Sequence, residues 1–277
     1  MTEEKATSLH PVARLPEDWE QIVTALGERP FRGRQIFKWV QARGVTDPAA
    51  MTDLPQAFRE RLGEPRFDSP AQVTQVLRAR DGTRKLVCEL AAGGKIECVL
   101  IPMSDDPDDD PEDEDGAWDG RVTLCISTQI GCAMGCVFCA SGQAGLERGL
   151  RAEEIVAQVM LARGHLAPGE HLRNLVFMGM GEPLHHYDET VRALRLLTHP
   201  EGIAMSPRRI TVSTVGLVPG IRRLGEDFDG KIGLALSLHA PNDAIRDGIV
   251  PMNKRYPVQA VLDALRAYPL PKRFPLS

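Results

Sequence analysis

The chain has 277 residues, of which 43% are hydrophobic and 26% are charged, enough to build one large domain with a smaller one beside it. It has no apolar run near the ~20 residues that a membrane span needs, and its start, MTEEKATSLH, lacks the apolar core of a secretory signal. We therefore expect a cytoplasmic protein without membrane association. The net charge of −5 hides an acidic run, DDPDDDPEDED at 105–115, without which the chain is mildly basic and suited to an anionic partner.

The first part of the chain predicts short helices. Residues 1–16 show no periodic apolar pattern and are predicted to be a flexible tail, whereas residues 17–62 carry apolar residues at roughly helical spacing, as in FRGRQIFKWV. Basic side chains concentrate there, which favours contact with RNA phosphates and equally fits a solvated helix face. These side chains are Arg29, Arg32, Arg34, Lys38 and Arg43.

A β-rich stretch follows the helices. QVTQVLRA, RKLVCEL and KIECVLIP are separated by glycine-containing turns, which predicts hairpins. We assign residues 17–102 to an accessory domain, helical and then hairpin, that contacts RNA. Residues 103–120 contain the acidic run, which has no apolar side chain to bury and is predicted to be a disordered surface insertion.

From residue 121 to residue 277, strand and helix patterns alternate. VTLCIS, LVFMGM, RITVST and IGLALSLH read as strands, and a helical pattern follows each one. Four such units predict an α/β fold in which parallel strands form part of a (β/α) barrel. Six units at ~30 residues each would need ~180 residues, so we expect the barrel to be incomplete at its C-terminus.

Three of the six cysteines fall within one short loop. Cys132, Cys136 and Cys139 occur in GCAMGCVFCASG, with the spacing C-x3-C-x2-C. Three thiolates can ligate three irons of a [4Fe–4S] cluster and leave the fourth iron open for a cofactor. A structural zinc site would need a fourth ligand nearby, and the nearest histidine after the loop, His165, is more than twenty residues further on.

Several motifs together resemble one family. TLCISTQIGCAMGCVFCASGQAGLERGL, NLVFMGMGEPLHHYDET, RRITVSTVGLVPGI and GLALSLHAPNDAIRDGIVPMNK are similar to the RlmN/Cfr family of radical S-adenosylmethionine (SAM) methyltransferases, which modify adenine in 23S rRNA. FRGRQIFKWVQARGVTDPAAMTDLP and DGTRKLVCELAAGGKIECVLIP resemble the branch that also acts on tRNA. The resemblance spans roughly residues 15–268, except for the acidic insertion.

The resemblance implies a function and its cofactors. It implies methylation of carbon 2 of adenosine in 23S rRNA and tRNA, with a [4Fe–4S] cluster and SAM as cofactors. The target adenine would have to be flipped out of its stack. An electron donor such as flavodoxin would reduce the cluster, and we expect the protein to act as a monomer.

The resemblance also assigns SAM contacts to residues at strand ends. The residues that match are Gly181 and Glu182 in MGMGEP, Ser213 in TVSTVG, and Ser237, Leu238 and His239 in LSLHA. Glu182 would pair with the ammonium group of SAM, and Phe138 suits packing against its adenine. Taken without the resemblance, a glycine-rich strand end equally fits a structural turn, and Phe138 fits ordinary core packing.

Two further residues take catalytic roles through the resemblance. Cys125, on the strand before the cysteine loop, matches a thiol that resolves a covalent intermediate between RNA and protein. Glu97, in KIECVLIP, matches a proton acceptor. From the residues alone, Cys125 reads as a small buried hydrophobe and Glu97 as a solvent-facing strand carboxylate.

The family uses one more essential cysteine near its C-terminus, and no cysteine follows Cys139 in these 277 residues. We therefore read the sequence as cut short, and expect it to bind cluster and SAM, to cleave SAM slowly and to leave RNA unmethylated. The alternatives are an impaired remnant that binds cluster, SAM or RNA, a carbon-8 methyltransferase of the same family, and a radical SAM activase that acts on a protein.

Overall fold

The computed structural model describes residues 9–62, 68–103 and 120–270. The acidic run at 105–115 lies outside the described residues, so its predicted disorder stays a prediction. Within the described ranges, no helix is long and apolar enough to cross a membrane.

Short helices make up the N-terminal region, as the sequence predicts. They are α1 (Pro16–Ala25), α2 (Phe31–Phe37), a π-helical turn that continues α2 (Lys38–Ala42), and α3 (Gln56–Leu62). The proline that begins α1 suits a helix start, because its missing N–H would have no partner there. Trp19, Phe37 and Phe58 are fully buried between these helices and the rest of the core.

The rest of the described chain contains both strands and helices. The strands are β1 (Ala71–Arg78), β2 (Arg84–Leu90), β3 (Lys95–Pro102), β4 (Arg121–Cys125), β5 (Gln129–Gly131), β6 (Leu146–Gly149), β7 (His171–Phe177), β8 (Ile210–Thr214) and β9 (Gly233–Leu236). The helices are α4 (Ala140–Gln143), α5 (Ala152–Arg163), α6 (Tyr187–Thr198), α7 (Val218–Phe228), α8 (Asp243–Ile249) and α9 (Val258–Arg266).

Seven strands form one sheet in the order β1-β2-β3-β4-β7-β8-β9. The pairs from β1 to β4 are antiparallel, and β4, β7, β8 and β9 are parallel. Helices α5, α6 and α7 connect the parallel strands, so the predicted fold, a partial parallel barrel preceded by helices and hairpins, is confirmed. Strand pairing crosses the predicted boundary between the accessory domain and the barrel, since β3 pairs with β4 from Val99↔Cys125 to Pro102↔Val122.

The two faces of this sheet have different surroundings. Leu100, Leu124, Leu175 and Ile210 are paired in register and are fully buried on one face, where α5 packs against the sheet. Their neighbours along each strand point to the opposite face, which is half-buried in the parallel part. We call this second face the lumen face.

The flexible tail predicted over residues 1–16 is wrong for its described part. Pro11–Ala13 form a 3-10 turn that packs against α5, and Val12 and Ala13 are buried. The Gln41 side chain donates a hydrogen bond to the Val12 carbonyl oxygen at 2.5 Å. A three-residue turn is too short to produce an apolar period, so sequence pattern could not reveal it.

Candidate active site

The cysteine loop lies between two short paired strands. It leaves β5 at Gly131 and returns through α4 to β6, and the Cys132 amide donates to the Gly145 carbonyl at 3.1 Å. The loop is tied to α8, because the Val137 amide donates to the Ile249 carbonyl at 3.1 Å. These bonds hold the loop at the carboxyl ends of the parallel strands, the edge where barrel enzymes place their ligands.

A cavity of about 270 Å³ opens beside this loop. The predicted site residues that line it are Cys132, Cys136, Phe138, Cys139, Gly181, Glu182, Ser213, Ser237 and His239. The structure therefore brings together nine of the residues that the sequence singles out. Leu238, the remaining predicted SAM contact, is outside the cavity lining, and its carbonyl accepts a hydrogen bond from Arg246.

Glu182 is the buried acid of this cavity. Its Oε2 accepts a hydrogen bond from the Val215 amide at 2.8 Å, and its Oε1 accepts one from the Leu184 amide at 3.1 Å. Burial raises the pKa of Glu182 to about 7, although the hydrogen bonds from Val215, Thr214 and Leu184 act in the opposite direction. No cation among the described residues contributes to this pKa, and a buried carboxyl of this kind suits a cationic or N–H-donating group of a ligand.

Position 181 requires glycine because its backbone has a positive φ and lies close to the Gln129 side chain. Its φ is +105°, a conformation that only glycine adopts readily. A Cβ at this position would lie 2.6 Å from the Gln129 side chain. Gln129 in turn accepts a hydrogen bond from the Glu182 amide at 3.0 Å through its Oε1, so this contact fixes the acid in place.

The other walls of the cavity combine hydroxyl and aromatic groups. The Ser213 and Ser237 hydroxyl oxygens are 3.2 Å apart, and either one can donate. Phe138 and His239 meet edge to face with ring centroids 4.6 Å apart. His239 has a φ of +58°, and half of the Phe138 side chain is exposed to the cavity mouth.

Glu97 and Cys125 lie on the lumen face, outside the cavity lining. Strand register places Val99 beside Cys125, and Glu97 is two residues from Val99 on the same face. Glu97 Oε1 accepts a hydrogen bond from Lys85 Nζ at 2.9 Å, and burial raises the pKa of Cys125. Their catalytic roles stay predictions.

Sequence reasoning missed two polar side chains that build the site. One is Gln129, described above. The other is Ser127, whose hydroxyl donates to the Glu97 carbonyl at 2.6 Å and accepts from the Met180 amide at 2.9 Å. Both residues lie within the motif TLCISTQIGCAMGC, but their roles depend on contacts with segments distant in sequence, which the motif does not reveal.

A larger cavity, of about 480 Å³, lies between the N-terminal turn and the start of α5. Its described lining includes His10, Arg14 and Arg151 but no cysteine. A cavity of about 500 Å³, lined by Arg163, His171 and Arg209 among others, is also larger than the one beside the cysteine loop. The chemistry favours the smaller one, which holds three thiols and a buried acid.

A parallel sheet with a three-cysteine loop after its first parallel strand is typical of radical SAM enzymes. Residues 126–269 match the model of the Radical SAM superfamily, and residues 16–66 match that of the ribosomal RNA large subunit methyltransferase N-terminal domain. The chain belongs to the RlmN family of radical SAM methyltransferases, which confirms the resemblance drawn from its motifs.

Individual relatives support this membership. The chain is 54% identical to the dual-specificity RNA methyltransferase RlmN of Sorangium cellulosum, over 97% of this chain and 74% of that protein. It is 45% identical to a probable enzyme of the same name from Moorella thermoacetica, over 92% and 69%. The crystal structure of a radical SAM methyltransferase from Sphaerobacter thermophilus superimposes with a TM-score of 0.79 at 40% identity, covering 93% of this chain and 71% of that one.

The cavity residues fit the cofactors of this family. Within the described ranges, no three His, Cys, Asp or Glu side chains are arranged to hold a metal ion. In a [4Fe–4S] cluster each thiolate binds a different iron, so thiols spread around a cavity suit a cluster better than one ion. Burial raises the pKa values of Cys132 and Cys136, and such thiols ionise when they ligate iron.

Proposed function

We propose that this chain provides the cofactor site and the RNA-facing surface for methylation of carbon 2 of adenosine in 23S rRNA and tRNA. One observation carries the proposal: a single cavity is lined by the three cysteines of the loop, by Glu182 and by the hydroxyls of Ser213 and Ser237. The names of the relatives, which are dual-specificity RNA methyltransferases, support the choice of RNA.

Each residue of the cavity has a proposed part. Cys132, Cys136 and Cys139 would hold the cluster, which when bound would supply the electron for reductive cleavage of SAM. Glu182 accepts a hydrogen bond from the amino group of SAM and thereby orients its methionyl part. Phe138 covers the adenine and keeps water from the reacting end of the cavity.

The lumen face contributes the proposed acid–base groups. Glu97 accepts the proton that the substrate carbon releases, and its Oε1 lies 2.9 Å from Lys85 Nζ. Cys125 matches the thiol that resolves the covalent intermediate with RNA, a step that also needs the family's C-terminal cysteine. We further propose that a flavodoxin-like donor reduces the cluster and that the protein acts as a monomer.

The test uses anaerobically reconstituted protein with SAM, a reductant and either a 23S rRNA fragment or tRNA. Chromatography measures 5′-deoxyadenosine, and mass spectrometry identifies methylated nucleosides. We expect 5′-deoxyadenosine to form, and any methyladenosine to be the 2-methyl isomer. The Cys132→Ala, Cys136→Ala and Cys139→Ala triple variant should bind no cluster and form no 5′-deoxyadenosine.

Two results would contradict the proposal. Formation of 8-methyladenosine would assign the chain to the carbon-8 branch. Retention of four irons by the triple variant would show that other residues ligate the cluster. The control is Cys88→Ala, which should leave iron binding intact. Cys88 is buried on β2 and does not line the cavity.

A further inference from the structure

Arg246, on α8, is a buried cation that neither the sequence motifs nor the proposed mechanism uses. Only 1% of its surface is exposed, and it is among the largest fully buried side chains of the described residues. Burying an arginine is unfavourable unless its N–H groups find acceptors. The neighbours of this side chain therefore show what its burial accomplishes.

The guanidinium of Arg246 bonds to the two chain segments that follow β8 and β9. Its Nη2 donates to the Val215 carbonyl at 2.6 Å and to the Ser237 carbonyl at 3.2 Å. Its Nε donates to the Leu238 carbonyl at 2.9 Å. Val215 and Ser237 both line the cavity, so one planar group fixes two of its walls.

The same bonds reach Glu182. The Val215 amide donates to Glu182 Oε2 while the Val215 carbonyl accepts from Arg246. Displacing Arg246 would therefore move a hydrogen-bond donor of the buried acid. The remaining nitrogen, Nη1, donates to Asn253 Oδ1 at 2.7 Å, which anchors the guanidinium on the side away from the cavity.

The acceptors that Arg246 contacts in these bonds are neutral, so its positive charge is not cancelled there. The nearest carboxylates, Asp243 and Asp247, are reached through Asn253, whose Nδ2 donates to them at 2.9 and 2.6 Å. On the other side, α8 is bonded to the cysteine loop through Ile249 and Val137. Val215, whose carbonyl accepts from Arg246, packs against the buried group of side chains that contains Cys132 and Cys136.

We propose that Arg246 is a positioning residue that holds the segments after β8 and β9 and, through its buried charge, raises the reduction potential of the cluster. This inference rests on the proposed cluster ligands. Reduction adds one electron to the cluster, and a fixed positive charge in a low-dielectric wall stabilises the more negative state. The hydrogen-bonding role and the electrostatic role of Arg246 can be tested separately. Lysine at this position keeps the positive charge but lacks the planar set of N–H donors.

The experiment measures the midpoint potential of the reconstituted cluster by mediated dithionite titration, and SAM binding by calorimetry. Arg246→Gln should lower the ratio of reduced to oxidised cluster at a fixed potential about tenfold, which corresponds to about 59 mV for one electron. Arg246→Lys should keep the potential close to that of the unaltered protein. Both variants should bind SAM more weakly, by about tenfold, because the cavity walls lose their anchor.

Two further variants keep the test decisive if Arg246→Gln fails to load a cluster. Asp247→Asn removes a negative charge near Arg246 while leaving the bonds of the guanidinium in place, and should make the potential less negative. Arg266→Gln, on α9 with 68% of its side chain exposed, is the matched control and should change neither quantity. An unchanged potential in Asp247→Asn would overturn the electrostatic role, as would equal potentials in Arg246→Gln and the unaltered protein.

Failure of the inference is distinguishable from failure of the proposed function. If the unaltered protein takes up no iron, the cluster ligands are wrong. If it takes up iron and its midpoint potential does not change on substitution of Arg246 or Asp247, the assigned cluster ligands are correct and Arg246 has only a structural role.

Discussion

At the scale of single residues, Glu182 determines how the cavity responds to pH. Burial raises its pKa to about 7, so in the empty cavity a large share of this carboxyl is protonated near neutral pH. A protonated carboxyl cannot accept a charge-assisted hydrogen bond from the amino group of SAM as well as an ionised one can. Binding of SAM must therefore release a proton below pH 7.

The sign of the pH dependence follows from this release. SAM affinity should fall by about tenfold for each pH unit below 7 and level off above it, because each unit of protonation costs ~1.4 kcal/mol. Glu182→Gln should remove this slope and weaken binding at pH 8 by roughly 1.5–3 kcal/mol. Calorimetry from pH 5.5 to 8.5 on both proteins separates Glu182 from the titration of SAM itself, and parallel curves would exclude Glu182 from the site.

Sequence reasoning finds residues of this kind only where the chemistry is local. The three cysteines are recognised from spacing within one loop, and Glu182 from a strand-end motif. Spacing arguments do not reveal the roles of Gln129 and Arg246, because Gln129 accepts from the distant Glu182 amide and Arg246 donates to the distant Val215 carbonyl. Polar residues that support a site are therefore predicted poorly, although they define its geometry.

At the scale of elements, α5 shows how an additional layer changes a helix. Helical spacing in AEEIVAQVMLAR places Ile155, Val156 and Val159 on one face, yet the polar side chains Glu153, Glu154 and Gln158 are also buried. The turn at Pro11–Ala13 packs against this helix, and Arg148 pairs with Glu154 at 2.7 Å. Amphipathic pattern predicts the helix itself, but not the segment that covers its polar face.

Gln158 links α5 to the site. Its Oε1 accepts from the Ser127 amide and its Nε2 donates to the Ser127 carbonyl, both at 2.9 Å. Gln158→Leu would leave both backbone groups of a buried residue without these partners and should lower the free energy of unfolding by roughly 2–4 kcal/mol. Urea denaturation measures this loss.

The matched control for this prediction is Gln259→Leu on α9. Gln259 is exposed and bonds to the exposed Asp263, so its replacement should change stability by no more than about 0.5 kcal/mol. Equal effects of the two substitutions would mean that Ser127 finds other partners. SAM affinity should fall in Gln158→Leu as well, because Ser127 also holds the Met180 amide.

At the scale of the whole molecule, one sheet joins the region that the sequence divides into an accessory domain and a barrel. A buried ion pair reinforces the connection: Arg84 on β2 bonds to Glu170 before β7 at 2.7 Å, with 3% and 11% of the side chains exposed. The composition and periods of the two parts differ, which suggests two domains. Pairing between β3 and β4 is tertiary, and no local pattern specifies it.

This continuity predicts cooperative unfolding. Trp19 and Trp39 report on the N-terminal helices, and Trp118→Phe removes the third tryptophan. Hydrogen exchange of β7 and β8 reports on the barrel. Because strand pairing and the Arg84–Glu170 pair cross the boundary, we expect both probes to give the same midpoint in urea, as two-state unfolding requires.

Glu170→Gln tests whether a loss of stability in the barrel reaches the N-terminal helices. Glu170 lies in the barrel, whereas the fluorescent tryptophans lie in the helices. The substitution leaves the buried Arg84 without its ionic partner, a loss of about 3 kcal/mol for a broken buried pair. The urea midpoints measured by fluorescence and by hydrogen exchange should shift by the same amount. Asp188→Asn, in a pair whose acid is 88% exposed, should shift neither by more than about 0.5 kcal/mol. A shift confined to β7 and β8 would show that the helices unfold independently, and that the continuous sheet does not couple the two parts energetically.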